Sequence, residues 1–399
     1  MSTPRDTRRL LCAPYHLYTH RQELQALLPR LTNDGWRTDV LLPFDEPAKL
    51  DAMAREAADL PGRPEVIDPT VHRWASRARP GAGARLLRGL AGLLYFARTA
   101  WLLLTRRYDL LLLTTDVGGL SVRFVQAVAA RRGVPIVVLQ ATLFLRLAER
   151  EELRMKVSSG GLRRLLSIGG LDRLVLFCGE VPGSFLPASR VAVQNDEIRD
   201  ICVQFGKSPD RVAVFGSLQS SRIAAARRDA PPRGAGPLRV LLLTECVEER
   251  FGMAMAARHV DCVRDMLHLA GDRVALTVRF HPRESQAYRD HVQRELAGLC
   301  HFDTGPDPVA SAAAADVIVG VFSMLLFDAQ AAGIAAVFLD VGCDPIGFYT
   351  DRRTPLVDDA RALLLALETA RDRPVPPSSP ETDWASGLAR WMAEVATRP

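Results

Sequence analysis

DVIVGVFSMLLFDAQAAGIAAVFLD, residues 316–340, is the stretch that decides the fold. An apolar run near 316–321 meets a small residue and a hydroxyl, Gly320 and Ser323, and gives way to a helical pattern. Gly333 closes that pattern, and a second apolar run succeeds it at 335–339. Continuous Val, Ile and Leu runs joined through a helix point to parallel strands buried on both faces. The same unit recurs upstream, with strands expected near 238–244 and 273–280. Further back, strands are expected near 9–13, 37–42, 109–115, 134–139, 173–177, 190–194 and 211–215. Helical patterns such as Gln22–Asn33 and Leu120–Arg132 lie between them. Alternation of this kind gives doubly wound parallel sheets.

Two stretches interrupt it. Ala224–Pro237 contains Pro231-Pro232 and the cluster Gly234–Pro237, and reads as an interdomain linker. Arg373–Ser379 reads as a second linker before a last helix around Trp384–Thr397. The expected layout is therefore an α/β domain over 1–223, an α/β domain over 238–375, and a terminal segment 376–399 whose helix packs back across the cleft. At about 150 residues per domain, 399 residues accommodate this.

Composition narrows the class further. The chain is 48% apolar and 24% charged, which disfavours long disorder, collagen-like repeats and coiled coil. A net charge of +5 is too small to argue for nucleic acid. Only Lys49, Lys156 and Lys207 are lysines, so the basic residues are nearly all arginine, which speaks of a GC-rich coding sequence more than of function. The seven cysteines are scattered without CxxC spacing, so no zinc knuckle or thioredoxin-like couple is suggested. They fit small buried hydrophobes in a reducing cytoplasm. The start, MSTPRDTRRLLCAPYH, lacks the layout of a signal peptide, so a cytoplasmic location is expected. No run reaches the roughly 18 uncharged apolar residues of a membrane span. One segment suggests a membrane surface instead. Residues 73–107 hold eight arginines and no acid, and Leu86–Leu104 is interrupted only by Arg88 and Arg98. It reads either as a buried helix whose arginines reach outward or as a peripheral contact with an anionic membrane face.

Open parallel sheets bind ligands at the carboxyl ends of their strands. Four such ends carry chemistry. At the first, Arg279-Phe280-His281-Pro282-Arg283-Glu284, the residue before proline is held extended, so His281 leaves the strand sharply. It can donate to a phosphate oxygen with positive charge from Arg279 or Arg283 beside it; a zinc reading of His281 and Glu284 lacks a further ligand. At the second, Ser323 stands as a helix N-cap over free amides, an anion site, and Asp328 lies about one turn in, within reach of ribose hydroxyls. At the third, VAVQNDEIRDICVQFGKSPDRVAVFGSLQ, residues 191–219, runs strand, helix, turn and strand to Gly216-Ser217, where glycine permits close backbone approach. At the fourth, Asp116 ends DLLLLTTD and His16 comes after the first strand in Ala13-Pro14-Tyr15-His16. Either is a candidate general base for an acceptor hydroxyl. Glu245 ends another strand and faces the cleft without an assigned role.

The region 273–340 resembles the nucleotide-binding half of GT-B transferases that act on CDP- or CMP-activated donors, in particular the CDP-glycerol glycerophosphotransferases and, more distantly, the bacterial polysialyltransferases. That group typically carries an HP strand end and then aDvlitDYSSvmFDyal…g.P. Here His281-Pro282, Asp316, Ser323, Phe327-Asp328 and Gly333 fall at matching spacing, whereas Val321, Met324 and Ile334-Ala335 replace the second Asp, the second Ser and the usual Pro. The stretch 191–217 is similar to one shared by GT-B transferases and UDP-GlcNAc 2-epimerases, and Asp116 resembles in position an acid of those epimerases. The 2-epimerase reading is the weaker one, because Leu139-Gln140-Ala141-Thr142 stands where an epimerase stretch with its Glu would be.

The resemblance implies a GT-B fold, two Rossmann-like domains facing across a cleft. It implies a metal-independent glycosyltransferase using a CMP-, CDP- or UDP-type sugar donor and a glycan or lipid-linked acceptor, in surface glycan, polysaccharide or capsule biosynthesis. The donor would meet Arg279, His281, Pro282, Ser323, Asp328, Gly216 and Ser217; Asp116 or His16 would be catalytic. No cofactor and no metal are expected, as no DxD motif lies between the strands. The alternatives are a glycerophosphotransferase and a non-catalytic GT-B module that binds a nucleotide or glycan.

Overall fold

A computed structural model describes residues 7–14, 17–43, 47–67, 82–114, 120–139, 189–204, 207–229, 236–321, 323–340, 354–372, 377 and 383–397. The strand expected at 173–177, the candidate bases His16 and Asp116, and the arginines at 73, 77 and 79 lie outside them.

Two parallel sheets organise the chain. The first has seven strands in the order β3-β2-β1-β4-β5-β6-β7. They are β1 Arg8–Ala13, β2 Trp36–Leu41, β3 Glu65–Ile67, β4 Leu110–Leu113, β5 Ile136–Leu139, β6 Arg190–Val193 and β7 Val212–Val214. Helices α1 Leu17–Asn33, α2 Pro47–Ala58, α3 Ala82–Thr105, α4 Leu120–Arg131, α5 Asp196–Gln204 and α6 Leu218–Asp229 follow strands of this sheet. The second sheet has six strands in the order β10-β9-β8-β11-β12-β13. These are β8 Leu238–Leu243, β9 Val274–Arg279, β10 Cys300–Asp303, β11 Val317–Gly320, β12 Ala335–Leu339 and β13 Leu356–Val357. Its helices are α7 Val247–Phe251, α8 Met253–Ala270, α9 Gln286–Glu295, α10 Pro308–Ala314, α11 Met324–Ala331 and α12 Ala360–Asp372, and α13 Trp384–Thr397 is the last helix. Both sheets reverse direction beside their first strand, between β1 and β4 and between β8 and β11. That 3-2-1-4-5-6 order is the Rossmann arrangement, and the reversal opens a crevice at the strands' carboxyl ends.

The central strands form where the apolar runs place them. β4, β5, β11 and β12 are buried at every position, as strands covered by helices on both faces must be. Three short strands lie beyond the sequence expectation. β3, β10 and β13 are edges, and β10 (CHFD) is half-exposed and pairs on one side, so it carries no continuous apolar run. The linker expected from Ala224 also needs correction. Helix α6 continues through Asp229, because Ala224–Arg228 is a run of alanines and arginines, both good helix formers.

Contacts across the two sheets are extensive. Helix α6 comes after β7 of the first sheet yet packs on α10 and α11 of the second. Helix α13 returns to the first: Trp384, Leu388, Met392 and Val395 are buried with Leu17, Leu24, Leu28 and Leu31 of α1 in one apolar cluster. The Phe215 and Trp391 rings lie 5.1 Å apart, and Arg30 pairs with Asp383 at 3.0 Å.

Candidate functional site

The crevice between β8 and β11 is lined by the turns that leave those strands. After β8, Glu245 and Cys246 take left-handed backbone angles, φ 68° and 53°, a conformation that costs a non-glycine residue roughly 1–2 kcal/mol. This sharp turn carries the Glu245 carboxylate under the start of α11. There it accepts from the Val321 amide at 2.6 Å and the Ser323 amide at 2.8 Å. Gly320 makes the space: a Cβ on it would lie 2.6 Å from Glu245 Oε1. Ser323 is the N-cap of α11, its hydroxyl accepting from the Leu325 amide at 3.2 Å. The helix start attracts an anion, as expected of such a terminus, and that anion is the protein's own carboxylate. Sequence reasoning leaves Glu245 without a role; its place at a cleft-facing strand end is the one signal for this use.

His281 sits beside this turn. Its Nδ1 accepts from the Arg283 amide at 3.2 Å and lies 3.0 Å from Cys246 Sγ. Burial, with Glu284 and Glu248 nearby, pushes the Cys246 thiol up to about 11, so it stays protonated beside the ring. With Nδ1 accepting, the ring proton is assigned to Nε2, the tautomer a phosphate would need. Glu284 pins the turn: one oxygen accepts from the Cys246 amide at 3.1 Å, the other from the His281 amide at 3.0 Å. Burial nonetheless holds the Glu284 carboxyl above its usual range. Its oxygens are committed to amides, and no group of metal-binding side chains occurs among the described residues. Pro282 is exposed at the tip of the turn, and the Arg289 guanidinium holds the His281 carbonyl at 2.9 Å while lying 5.4 Å over the Phe280 ring.

Arg279, expected at the donor, has a partner within the protein. Its guanidinium pairs with Asp303 on β10, which also accepts from Ser311 and from the Gly305 amide at 2.8 Å. Burial would raise the Asp303 carboxyl, but these donors hold it below its usual value. The Arg279 charge is thus matched one strand away from the crevice. Asp316 proves a fastening at the far end of β11, with both oxygens on Arg239 at the start of β8. A cavity of about 240 Å³ also lies away from the crevice, lined by Arg239, Thr277, His301 and Ser311.

Ser217 and Asp328, both expected at the donor, meet each other. Gly216 turns with φ 73°, Ser217 caps α6 by accepting from the Ser220 amide at 2.9 Å, and its hydroxyl donates to Asp328 at 2.6 Å. Asp328 is 7% exposed. Burial pushes its carboxyl up to about 7 against the Ser217 bond, with the Glu23 charge of α1 adding to the rise. Burial raises Glu23 too, and its Oε2 has no hydrogen-bond partner. Beside this pair, Asn195 donates to Gln330 at 3.1 Å, and Gln330 and Thr354 both reach Glu197. In the first sheet, β1 and β4, the strands that precede His16 and Asp116, end in register at Ala13 and Leu113.

No known family model matches the chain, and no curated protein matches it by sequence. Solved structures match it along nearly its whole length. A putative UDP-N-acetylglucosamine 2-epimerase from Listeria monocytogenes superposes with a TM-score of 0.54 at 12% identity, over 98% of this chain and 97% of its own. A UDP-GlcNAc 2-epimerase from Neisseria meningitidis, bound to UDP-GlcNAc, gives 0.52 at 11%, over 97% and 99%. A glycosyltransferase from Rickettsia africae gives 0.51 at 9%, over 99% and 100%. Likeness at such identity establishes fold. The chain has the GT-B fold, two Rossmann-like parallel-sheet domains, and its likeness extends to both glycosyltransferases and 2-epimerases.

Proposed function

We propose that this chain is a metal-independent glycosyltransferase that moves a sugar from a nucleotide-activated donor to a hydroxyl acceptor of a glycan or lipid-linked chain, in surface polysaccharide synthesis. The observation that carries the reading is the pair of amides at Val321 and Ser323 holding a carboxylate at the β8–β11 crevice, with His281 alongside. Such a cradle suits the phosphate that departs in sugar transfer, whose charge is the main electrostatic demand of the reaction. A donor phosphate would displace Glu245 from the amides and accept from His281 Nε2. A base from the first sheet, Asp116 or His16, would take the acceptor proton. The GT-B neighbours, one of them bound to UDP-GlcNAc, support a nucleotide-sugar donor. The strand-end motif around His281 and Ser323 also supports transfer of glycerol phosphate from a CDP donor.

Calorimetric titration with CMP, CDP, UDP and GDP, followed by turnover assays with the matching sugar donors and CDP-glycerol, tests the proposal. Binding with sugar transfer is the expected result; glycerol phosphate transfer would favour the second reading, and binding without turnover a non-catalytic module. His281→Ala is expected to weaken the preferred nucleotide more than about tenfold, while shifting the melting temperature by no more than about 4 °C. Unchanged affinity would remove His281 from the site.

A further inference from the structure

Helix α3 keeps its polar contacts on the inside. Tyr95 is buried, its hydroxyl donating to the Leu42 carbonyl at 3.3 Å, and Ala91 and Leu103 are buried on the same side. Phe96 packs on Phe124 of α4 at 4.8 Å. Arg106, one of the eight arginines counted in 73–107, turns inward to Asp39 and Glu65 at 3.2 and 2.7 Å. The opposite side of the helix is exposed and mostly apolar, with Arg98 set among its leucines. Leu87, Leu90, Leu94, Trp101 and Leu104 recur at helical spacing and, with Leu93, are 44–70% exposed. Monomers rarely expose so continuous a stripe without a partner for it.

We propose that this outer face of α3 beds into the headgroup boundary of an anionic lipid bilayer. Charge selects this occupant. Residues 82–108 and 120–139, which include α3 and α4, contain arginines and no acid at all. Arg107, Arg131 and Arg132 are exposed, and the Arg132 guanidinium reaches the Leu104 carbonyl at 3.4 Å, at the stripe's end. A second copy of this chain laid on the stripe would bring the same arginines against each other. An anionic surface takes the leucines and tryptophan into its acyl boundary and pairs the arginines with its headgroups. The helix lies on the bilayer and does not cross it: no helix among the described residues is long and apolar enough to span. Binding of this kind would be independent of the donor chemistry and would hold the first domain at a lipid surface.

Flotation decides it. The full chain is mixed with phosphatidylcholine vesicles alone, or with about one part in three phosphatidylglycerol. Recovery is expected with the anionic vesicles and little with the neutral ones. Leu94→Glu/Trp101→Glu and, separately, Arg107→Glu/Arg131→Glu are expected to cut recovery at least about fivefold. These positions are exposed, so unchanged circular dichroism and melting keep the comparison valid. Absent flotation, equal recovery on both vesicles, or recovery indifferent to the Leu94 and Trp101 changes would overturn the proposal. So would a dimer in light scattering that those changes dissociate, since the face would then belong to a second copy.

Discussion

Replacing Gly320 with alanine is expected to cost about 3 kcal/mol of stability in the parent, and much less when the same change is made in the Glu245→Ala variant. Gly320 does not have a positive φ, so the substitution tests space alone. Its new Cβ would fall 2.6 Å from Glu245 Oε1 and 3.0 Å from a Leu326 methyl. The carboxylate must then leave the Val321 and Ser323 amides, and bonds to a charged acceptor contribute about 1.5–3 kcal/mol each. Glu245→Ala alone should cost a similar amount by stranding those amides, partly offset by water or by relief of a buried charge. In the double variant the steric conflict with Glu245 no longer exists. Only the tight Leu326 contact remains, which a flexible side chain can relieve. Urea unfolding of the four proteins gives the coupling directly. Additive losses would mean that Leu326, and not the carboxylate, reads the missing side chain at 320. Inorganic phosphate should also raise the midpoint of Glu245→Ala more than that of the parent, because only the variant offers empty amides.

The same cluster shows how far sequence reading reaches. His281 and Ser323 are identifiable because a buried parallel strand writes its own end, and ligands gather at strand ends. The use of Glu245 is not, since its partners lie 76 and 78 residues away and nothing local distinguishes a carboxylate that fills an amide nest from one that faces water. The fate of Arg279 is hidden for a related reason. It is neutralised by Asp303, and β10, which carries Asp303, is a half-exposed edge with no apolar run to announce it. Ser217 stands just past a strand end and Asp328 about one turn into a helix, as the sequence suggests. That the two side chains meet, 111 residues apart, results from α6 crossing to the second sheet's helices, a packing choice that local propensity does not encode.

Asp328→Asn is expected to flatten a pH dependence of stability between about pH 4 and 7. Burial holds the Asp328 carboxyl at about 7, against an ordinary value of 3.8, with the Ser217 hydrogen bond opposing the rise and the Glu23 charge adding to it. The native state therefore keeps a proton across that window which the unfolded chain has already lost. A state that binds more protons loses stability as protons become scarce, so this group's contribution is complete below the unfolded pKa and declines as pH rises through 7. Roughly three pKa units at 1.36 kcal/mol each put the full change near 4 kcal/mol. Asparagine has the shape of the protonated acid and cannot ionise, and its amide oxygen can still accept from Ser217. At pH 4 the variant should match the parent to within about 1 kcal/mol; by pH 8 it should be the more stable protein. Urea midpoints of both at pH 4, 5, 6, 7 and 8 measure the divergence. Parallel profiles would mean that Asp328 is ionised throughout, and that water or a rearranged Glu23 reaches this seam between α1, α6 and α11. Divergence would instead make the seam a proton-holding contact, one that an opening of the domains would have to deprotonate near neutral pH.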